Sequence, residues 1–128
     1  MNDGKKRLTT YQDLQVYQMA FQVAMEIFEA TKNYPREERY SLVDQVRLSS
    51  RSVCANISEA FRKRLYPAAF VSKLSDANAE AGETEVWLEF SWKCGYMTRE
   101  QANALLTACE QITGKLIRMI RHPEHWKV

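Results

Sequence analysis

A chain of 128 residues with 45% hydrophobic and 27% charged residues has the composition of one soluble globular domain, and only four glycines and three prolines argue against a strand-and-turn fold. The net charge of +2 is too small to indicate nucleic-acid binding by itself. No apolar run approaches the roughly 20 residues that span a membrane, and the N-terminus lacks a secretory signal, so we expect a cytosolic protein.

The three cysteines, Cys54, Cys94 and Cys109, lie far apart and form no CxxC pair. A zinc ribbon or a redox pair is therefore not indicated. We expect all three to be small core residues in a reducing compartment.

The first ten residues are polar and basic, with Lys5, Lys6 and Arg7 adjacent, and they predict a flexible basic arm. One interpretation is a solvated tail, and the other is an arm that contacts phosphates. Residues 11–121 then form the predicted domain, and residues 122–128 form a short C-terminal tail.

The first helix is predicted from Tyr11–Asp13 to about Lys32, because the proline of Asn33-Tyr34-Pro35 disfavours helix in the residue before it. Thr10 is the expected N-cap, with an acidic residue three positions later. Helical spacing predicts a core stripe with three smaller residues, Ala20, Ile27 and Thr31, beside it. The stripe comprises Leu14, Tyr17, Phe21, Ala24 and Phe28.

The second helix is predicted to begin at an N-cap, Ser41, and to end near Lys63. At about 100° per residue it has three faces. The core stripe comprises Leu42, Val46, Ser49, Val53, Ile57 and Ala60. A small polar stripe beside it comprises Gln45, Ser52, Asn56 and Glu59. A basic stripe roughly opposite the core comprises Arg47, Arg51 and Arg62, followed by Arg64.

The third helix is predicted from Pro67 to Cys94, with Gly95 just after its end. Its core stripe comprises Phe70, Leu74, Ala77, Ala81, Leu88 and Trp92. A second apolar patch lies on another side and comprises Val86, Trp87 and Phe90. We predict an oligomer interface at this patch, and a broad inner face within one subunit is the alternative.

Thr98 and Gln101 form a capping box that begins the fourth helix, and His122-Pro123 ends it. Four long helices joined by short loops predict an all-α, antiparallel up-down-up-down four-helix bundle.

Reactive motifs are missing from the sequence. It contains no phosphate-binding loop, no nucleophile elbow and no HExxH. His122 and His125 would need further ligands, of which Glu110 and Glu124 are conceivable, so we expect no metal site and no cofactor. An inward carboxylate cluster of Glu59, Glu83 and Glu85 is less favoured than a structural network around the polar stripe. We therefore expect no enzyme.

The segments YQDLQVYQMA, YPREERYSLVDQVRLSSRSVCANISEAFRK and LEFSWKCGYMT resemble the four-helix bundle proteins related to the 23S rRNA intervening-sequence protein. The likeness spans about Tyr11 to Ile120. The most specific positions are Leu14, Tyr17, Ala20, Pro35, Glu38, Gln45, Ser52, Ala55, Asn56, Ile57 and Glu59. The chain departs from the family at Leu48, where a basic residue is usual, and at Ala60, where glycine is usual.

The resemblance implies a bacterial cytosolic protein that forms a ring-like homopentamer and has no established catalytic activity. It also implies kinship with the accessory variability proteins of diversity-generating retroelements, which bind a reverse transcriptase and nucleic acid. Together with the basic stripe, this predicts a non-enzymatic scaffold that binds RNA or a ribonucleoprotein. Its predicted phosphate contacts are Arg47, Arg51, Arg62 and Arg64, assisted by Lys5, Lys6 and Arg7. The alternative is a protein-interaction module that uses Trp87, Phe90 and Trp126.

Overall fold

The computed structural model describes residues 8–127, and every regular element in that range is helical. Four long helices make up the domain: α1 (Gln15–Thr31), α2 (Asp44–Arg62), α3 (Pro67–Lys93) and α4 (Arg99–Arg121). Short 3-10 turns cover Tyr11–Asp13, Arg36–Glu38 and Pro123–Trp126, and one π turn covers Arg39–Val43. Within residues 8–127, no helix is long and apolar enough to cross a membrane.

The helices form the predicted four-helix bundle, in which α1 packs against α2 and α4, and α3 packs against α2 and α4. Contacts between helix ends give the antiparallel order. Arg47 near the start of α2 meets Phe28 and Thr31 near the end of α1. Lys115 near the end of α4 donates to the side chain of Gln15 at the start of α1 over 3.1 Å.

Aliphatic residues from all four helices fill the core, and the largest of them are fully buried. These include Ile27, Ile57, Leu74, Leu88 and Leu116. One buried polar contact joins α3 to α2, where the Thr84 hydroxyl donates to Ser49 Oγ over 2.8 Å. The predicted core stripe of α3 is confirmed except for Trp92, which is half-buried.

Two of the predicted cysteine positions are buried, and one is not. Cys54 and Cys109 lie in the core, whereas Cys94 is exposed at the end of α3. Burial raises the pKa of Cys54 to about 11 and that of Cys109 to about 12. These two thiols therefore stay protonated at neutral pH.

The ends of α3 and α4 follow the sequence signals. Gly95 has a φ of 80°, its N–H bonds to the Trp92 carbonyl, and the Tyr96 N–H bonds to the Ser91 carbonyl. This is a Schellman motif, which needs a left-handed residue after the helix. The Thr98 and Gln101 capping box of α4 is also formed.

The starts of α1 and α2 differ from the predicted ones. The Asp13 carboxylate accepts bonds from the N–H groups of Thr9 and Thr10, but it closes a 3-10 turn, and α1 begins only at Gln15. The prediction that Ser41 is an N-cap is wrong, because the chain is already coiled into the π turn there and the Ser41 hydroxyl donates to Glu38 instead.

Glu38 links the loop before α2 to the loop after α3. It accepts bonds from Ser41 over 2.7 Å and from the Tyr96 hydroxyl over 2.8 Å. These two bonds lower the pKa of Glu38, and the bond to Glu38 raises the pKa of Tyr96 to about 12. The bond from Tyr96 to Glu38 therefore holds the start of α2 next to the end of α3.

Candidate nucleic-acid interface

The four arginines predicted on or after α2 divide into two kinds. Arg51 and Arg62 are exposed, and neither makes a hydrogen bond or ion pair to another residue in the range 8–127. Arg47 and Arg64 are half-buried and bonded within the chain. The structure therefore leaves two guanidiniums on α2 able to bind an external anion.

Arg47 is held by α1. Its Nε donates to the Thr31 hydroxyl over 2.8 Å, and its Nη2 donates to the Phe28 carbonyl over 3.2 Å. Its guanidinium also lies over the Phe28 ring, 4.7 Å from the ring centroid. This side chain has a structural role in joining two helices. Because two of its guanidinium nitrogens already donate within the chain, it has fewer N–H groups available for a phosphate than an unbonded arginine has.

Arg64 folds back on the end of α2. Its Nη1 donates to the Phe61 carbonyl over 3.0 Å, and its guanidinium lies 4.0 Å from the Phe61 ring centroid. A cation that bonds a last-turn carbonyl stabilises the negative end of a helix. The other predicted contacts, Lys5, Lys6 and Arg7, lie outside the described residues.

A line of aromatic rings on α1 and on the 3-10 turn before it runs beside the exposed arginines. Tyr11 and Tyr17 meet edge to face at 4.9 Å between centroids, and Tyr17 and Phe21 lie 6.0 Å apart. Further along, Lys32 and Arg51 join Arg47 over the Phe28 ring. At the other end, Arg62 lies over Tyr11 at 5.9 Å.

Tyr17, Phe21 and Phe28 were predicted to be in the core, and that prediction is wrong for Phe21, which is 49% exposed. Tyr17 and Phe28 are only half-buried. The buried side of α1 is instead formed by smaller residues. These are Val16, Ala20, Val23, Ala24, Ile27 and Thr31.

The rings of Tyr11, Tyr17, Phe21 and Phe28 line a groove of about 420 Å³ between α1 and α2, which we call the aromatic groove. Among the described residues, Arg51 is the charged residue that lines it, and no carboxylate does. The lining comprises Tyr11, Tyr17, Phe21, Ala24, Met25, Phe28, Arg51, Cys54, Ala55 and Ser58. The sequence carries a signal for this groove, because the rings and the arginines both recur at helical spacing.

The polar stripe of α2 faces α3. Glu59 pairs with Lys73 over 3.1 Å, and the Asn56 amide donates to the Ser52 carbonyl over 2.9 Å. Ser52 also reaches Glu80, whose pKa is raised by burial and by Glu83 and lowered by this serine. Gln45, at the start of the stripe, is exposed.

The three carboxylates weighed as one inward cluster lie apart. Glu59 pairs with Lys73, and Glu83 accepts from the indole of Trp87 over 3.3 Å. Glu85 lies between α3 and α4, where burial and then Glu110 raise its pKa. The arrangement therefore brings no two of these acids together for acid–base chemistry.

The second apolar patch of α3 is only partly exposed. Val86 and Phe90 are exposed, whereas Trp87 is half-buried, packs against the core and lies 5.8 Å from Phe90. Trp126, the third aromatic of the alternative docking surface, is also half-buried against the core in the last 3-10 turn. Phe90 is thus the one exposed aromatic residue of that proposed surface.

The last 3-10 turn brings together the side chains considered as metal ligands. His122, Glu124 and His125 have ligand atoms within 4.8 Å of one another, and all three are exposed. The imidazole rings of His122, the residue before the turn, and of His125 stack with their centroids 5.1 Å apart. Glu110 is not part of this group.

Comparisons with known proteins identify relatives of this chain. The model of the family described as 23S rRNA-intervening sequence protein matches residues 12–118. A crystal structure of a protein of unknown function from the S23 ribosomal protein family of Bacteroides thetaiotaomicron VPI-5482 is 33% identical, with a TM-score of 0.75. That similarity covers 83% of this chain and 95% of the other. No curated protein matches the sequence.

Proposed function

The chain belongs to the family of 23S rRNA-intervening sequence proteins, and from this membership we propose that it is a non-enzymatic scaffold that binds RNA or a ribonucleoprotein through α2. The observation that carries the proposal is the exposed pair Arg51 and Arg62, which are unbonded within the described residues. They are about three turns apart, or roughly 16 Å along the helix. A guanidinium fork can donate two bonds to one phosphate.

The proposal includes assembly into a ring-like homo-oligomer, most simply a pentamer. Repetition of Arg51 and Arg62 around a ring would convert a modest positive face into a strong field for nucleic acid. The exposed side chains of Val86 and Phe90 support an interface between copies. Light scattering at micromolar concentration tests this part, and a mass of 14.9 kDa would contradict it.

The proposed setting is the bacterial cytosol, where an exposed thiol such as Cys94 stays reduced. The proposed protein partner is a reverse-transcriptase-like enzyme that binds the same RNA. The scaffold itself would supply binding and no catalytic step.

A filter-binding salt titration tests the assignment. The probe is a labelled transcript that carries one hairpin and unpaired flanks. We expect affinity to fall steeply with salt, and the double variant Arg51→Ala plus Arg62→Ala to bind weakly. Its log–log slope should be smaller by about 0.7–0.9 for each phosphate that the variant no longer neutralises. Unchanged binding by the double variant would contradict the proposal.

The matched control removes two arginines from another face. Arg118 and Arg121 are exposed near the end of α4, and Arg118→Ala plus Arg121→Ala lowers the net charge by the same amount. This control should retain the affinity of the unmodified protein, because a lower overall charge has a small effect compared with the removal of direct bonds to phosphate. Circular dichroism verifies that both double variants are folded.

A further inference from the structure

We propose that the aromatic groove holds an unpaired stretch of RNA, with bases against the rings of α1 and phosphates against the arginines of α2. This inference rests on the proposed function and goes beyond it, because it specifies single-stranded rather than base-paired RNA. It also assigns a binding role to Phe21 and Tyr17, two rings that the sequence places in the core.

The first reason is the exposure of the rings. Phe21 is 49% exposed although phenylalanine is among the residues most often buried. With Tyr17 and Met25 it forms an apolar wall along α1 that no other described part of the chain covers. Apolar surface of this kind in a groove usually marks a binding site.

The second reason is the charge around the groove. Arg51 lines it, Lys32 and Arg47 lie over Phe28, and Arg62 lies over Tyr11 at the opposite end. Lys32 is paired with Glu29 over 3.2 Å, but no acidic residue among the described ones lines the groove, and Arg51 and Arg62 form no ion pair within residues 8–127. The chemistry is therefore complementary to a ligand that is both anionic and aromatic.

Docking of a second copy of this chain is the rival for the same groove. It would bury Arg51 and its neighbouring cations, and burying charges is costly unless carboxylates of the second copy pair with them. A nucleotide strand removes that cost, because its phosphates pair with the cations while its bases cover the rings.

The third reason distinguishes an unpaired strand from a duplex. Bases within an A-form helix are stacked on each other and have no free face for a protein ring. Proteins that bind single strands combine a positive groove with aromatic side chains on which bases stack, often with help from arginine. The groove extends from the Arg62–Tyr11 contact to the Arg47–Phe28 contact, about 22 Å along α2. That length accommodates several nucleotides.

The test uses Phe21→Ala in the full chain, with an unstructured labelled oligouridine and a hairpin of equal length as probes. Removing one stacking ring should weaken oligouridine binding by about 5- to 100-fold. Hairpin binding should change by less than about twofold, since the bonds to phosphate are retained. Phe21→Trp should restore oligouridine binding, because the ring face is replaced.

The chain provides a control in Tyr40, which is 83% exposed in the π turn before α2 and does not line the groove. Tyr40→Ala removes an exposed ring from outside the groove and should leave oligouridine affinity unchanged. A uridine replaced by 2-aminopurine gives a second readout, because its fluorescence is quenched on stacking. Quenching should occur with the unmodified protein and be absent with Phe21→Ala.

Three outcomes would overturn the inference. Equally weakened binding of both probes, unchanged binding of both, or a Phe21→Ala variant with a changed oligomeric mass would each remove the groove as a single-strand site. The last result would assign the groove to contact between copies. If Arg51→Ala plus Arg62→Ala weakens binding of both probes while Phe21→Ala weakens binding of neither, the proposed function stands and this inference fails. If the unmodified protein binds neither probe, both fail.

Discussion

Arg47 near the start of α2 donates from Nε to the hydroxyl of Thr31 at the end of α1, over 2.8 Å. Thr31 is buried, and its own hydroxyl hydrogen is directed to the Ile27 carbonyl over 2.7 Å. The guanidinium therefore bonds a hydroxyl oxygen that no solvent molecule readily reaches. This contact fixes the approach of α1 to α2 and forms one end of the aromatic groove.

Replacement of Arg47 by alanine should destabilise the bundle. The variant lacks two hydrogen bonds from a charged donor and the packing over Phe28, so we expect the free energy of unfolding to fall by about 1–2 kcal/mol. Urea denaturation at pH 7 and one protein concentration measures it. Arg51→Ala is the matched control and should lie within about 0.5 kcal/mol of the unmodified protein. Equal stability of the two variants would contradict a structural role for Arg47.

Gly95 should be sensitive to substitution because of its backbone conformation. Its φ of 80° closes the Schellman motif after α3, and an alanine there carries a penalty of about 1–2 kcal/mol. Gly82 is the matched comparison, since an added Cβ at this position in α3 meets no atom within 4 Å. Gly82→Ala should raise stability by about 0.5–1 kcal/mol. Thermal unfolding of the two variants should shift in opposite directions, and a shift in the same direction would refute this interpretation.

Local sequence signals predicted most of the fold. The four helices, the glycine after α3 and the Thr98 cap depend on propensity and capping, which act over a few residues. The entry to α2 was not predicted, because Ser41 is a good cap only if the chain before it is extended. Here it is coiled, and Tyr96 from a distant loop holds Glu38 in that arrangement. Contacts across the fold decided this boundary.

The aromatic groove was missed for a related reason. On α1 the smaller residues Val23 and Ile27 and the rings Phe21 and Phe28 all recur at helical spacing, so the helix is apolar over a wide arc. Helical periodicity shows that this arc is apolar, but it does not show which part of the arc packs against α2 and α4. The assignment of Arg47 to a free basic face failed in the same way, since its partners on α1 are far away in sequence.

Glu85 should make stability depend on pH. Burial between α3 and α4, and then the charge of Glu110, raise its pKa above the value in the unfolded chain. The folded state therefore takes up a proton first on acidification, and the ionised form weakens the fold at neutral pH. Glu85→Gln should be more stable than the unmodified protein at pH 7. That advantage should shrink as the pH falls through the raised pKa of the folded state, and it should be gone below about 4, where the carboxyl is protonated in both states.

Chemical denaturation at pH 7 and at acidic pH measures the Glu85 effect. Glu89→Gln is the control, because Glu89 is an exposed carboxylate one turn further along α3. It should change stability by less than about 0.5 kcal/mol at either pH. An advantage for Glu85→Gln that persists unchanged into acid would mean that the amide packs better, and that charge is not the cause.

Leu48 provides a gain-of-function prediction for the basic face. It is 64% exposed on α2, one turn before Arg51. Leu48→Arg should cost little stability, because an exposed leucine makes few contacts. It should neutralise one more phosphate and increase the salt slope of RNA binding by about 0.7–0.9.

The matched control is Ile117→Arg, which adds the same charge at an exposed apolar position on α4. Both variants raise the net charge equally, so a larger slope for Leu48→Arg alone would assign RNA to α2. Equal slopes for the two variants would mean that binding follows net charge, and the α2 face would have no special role.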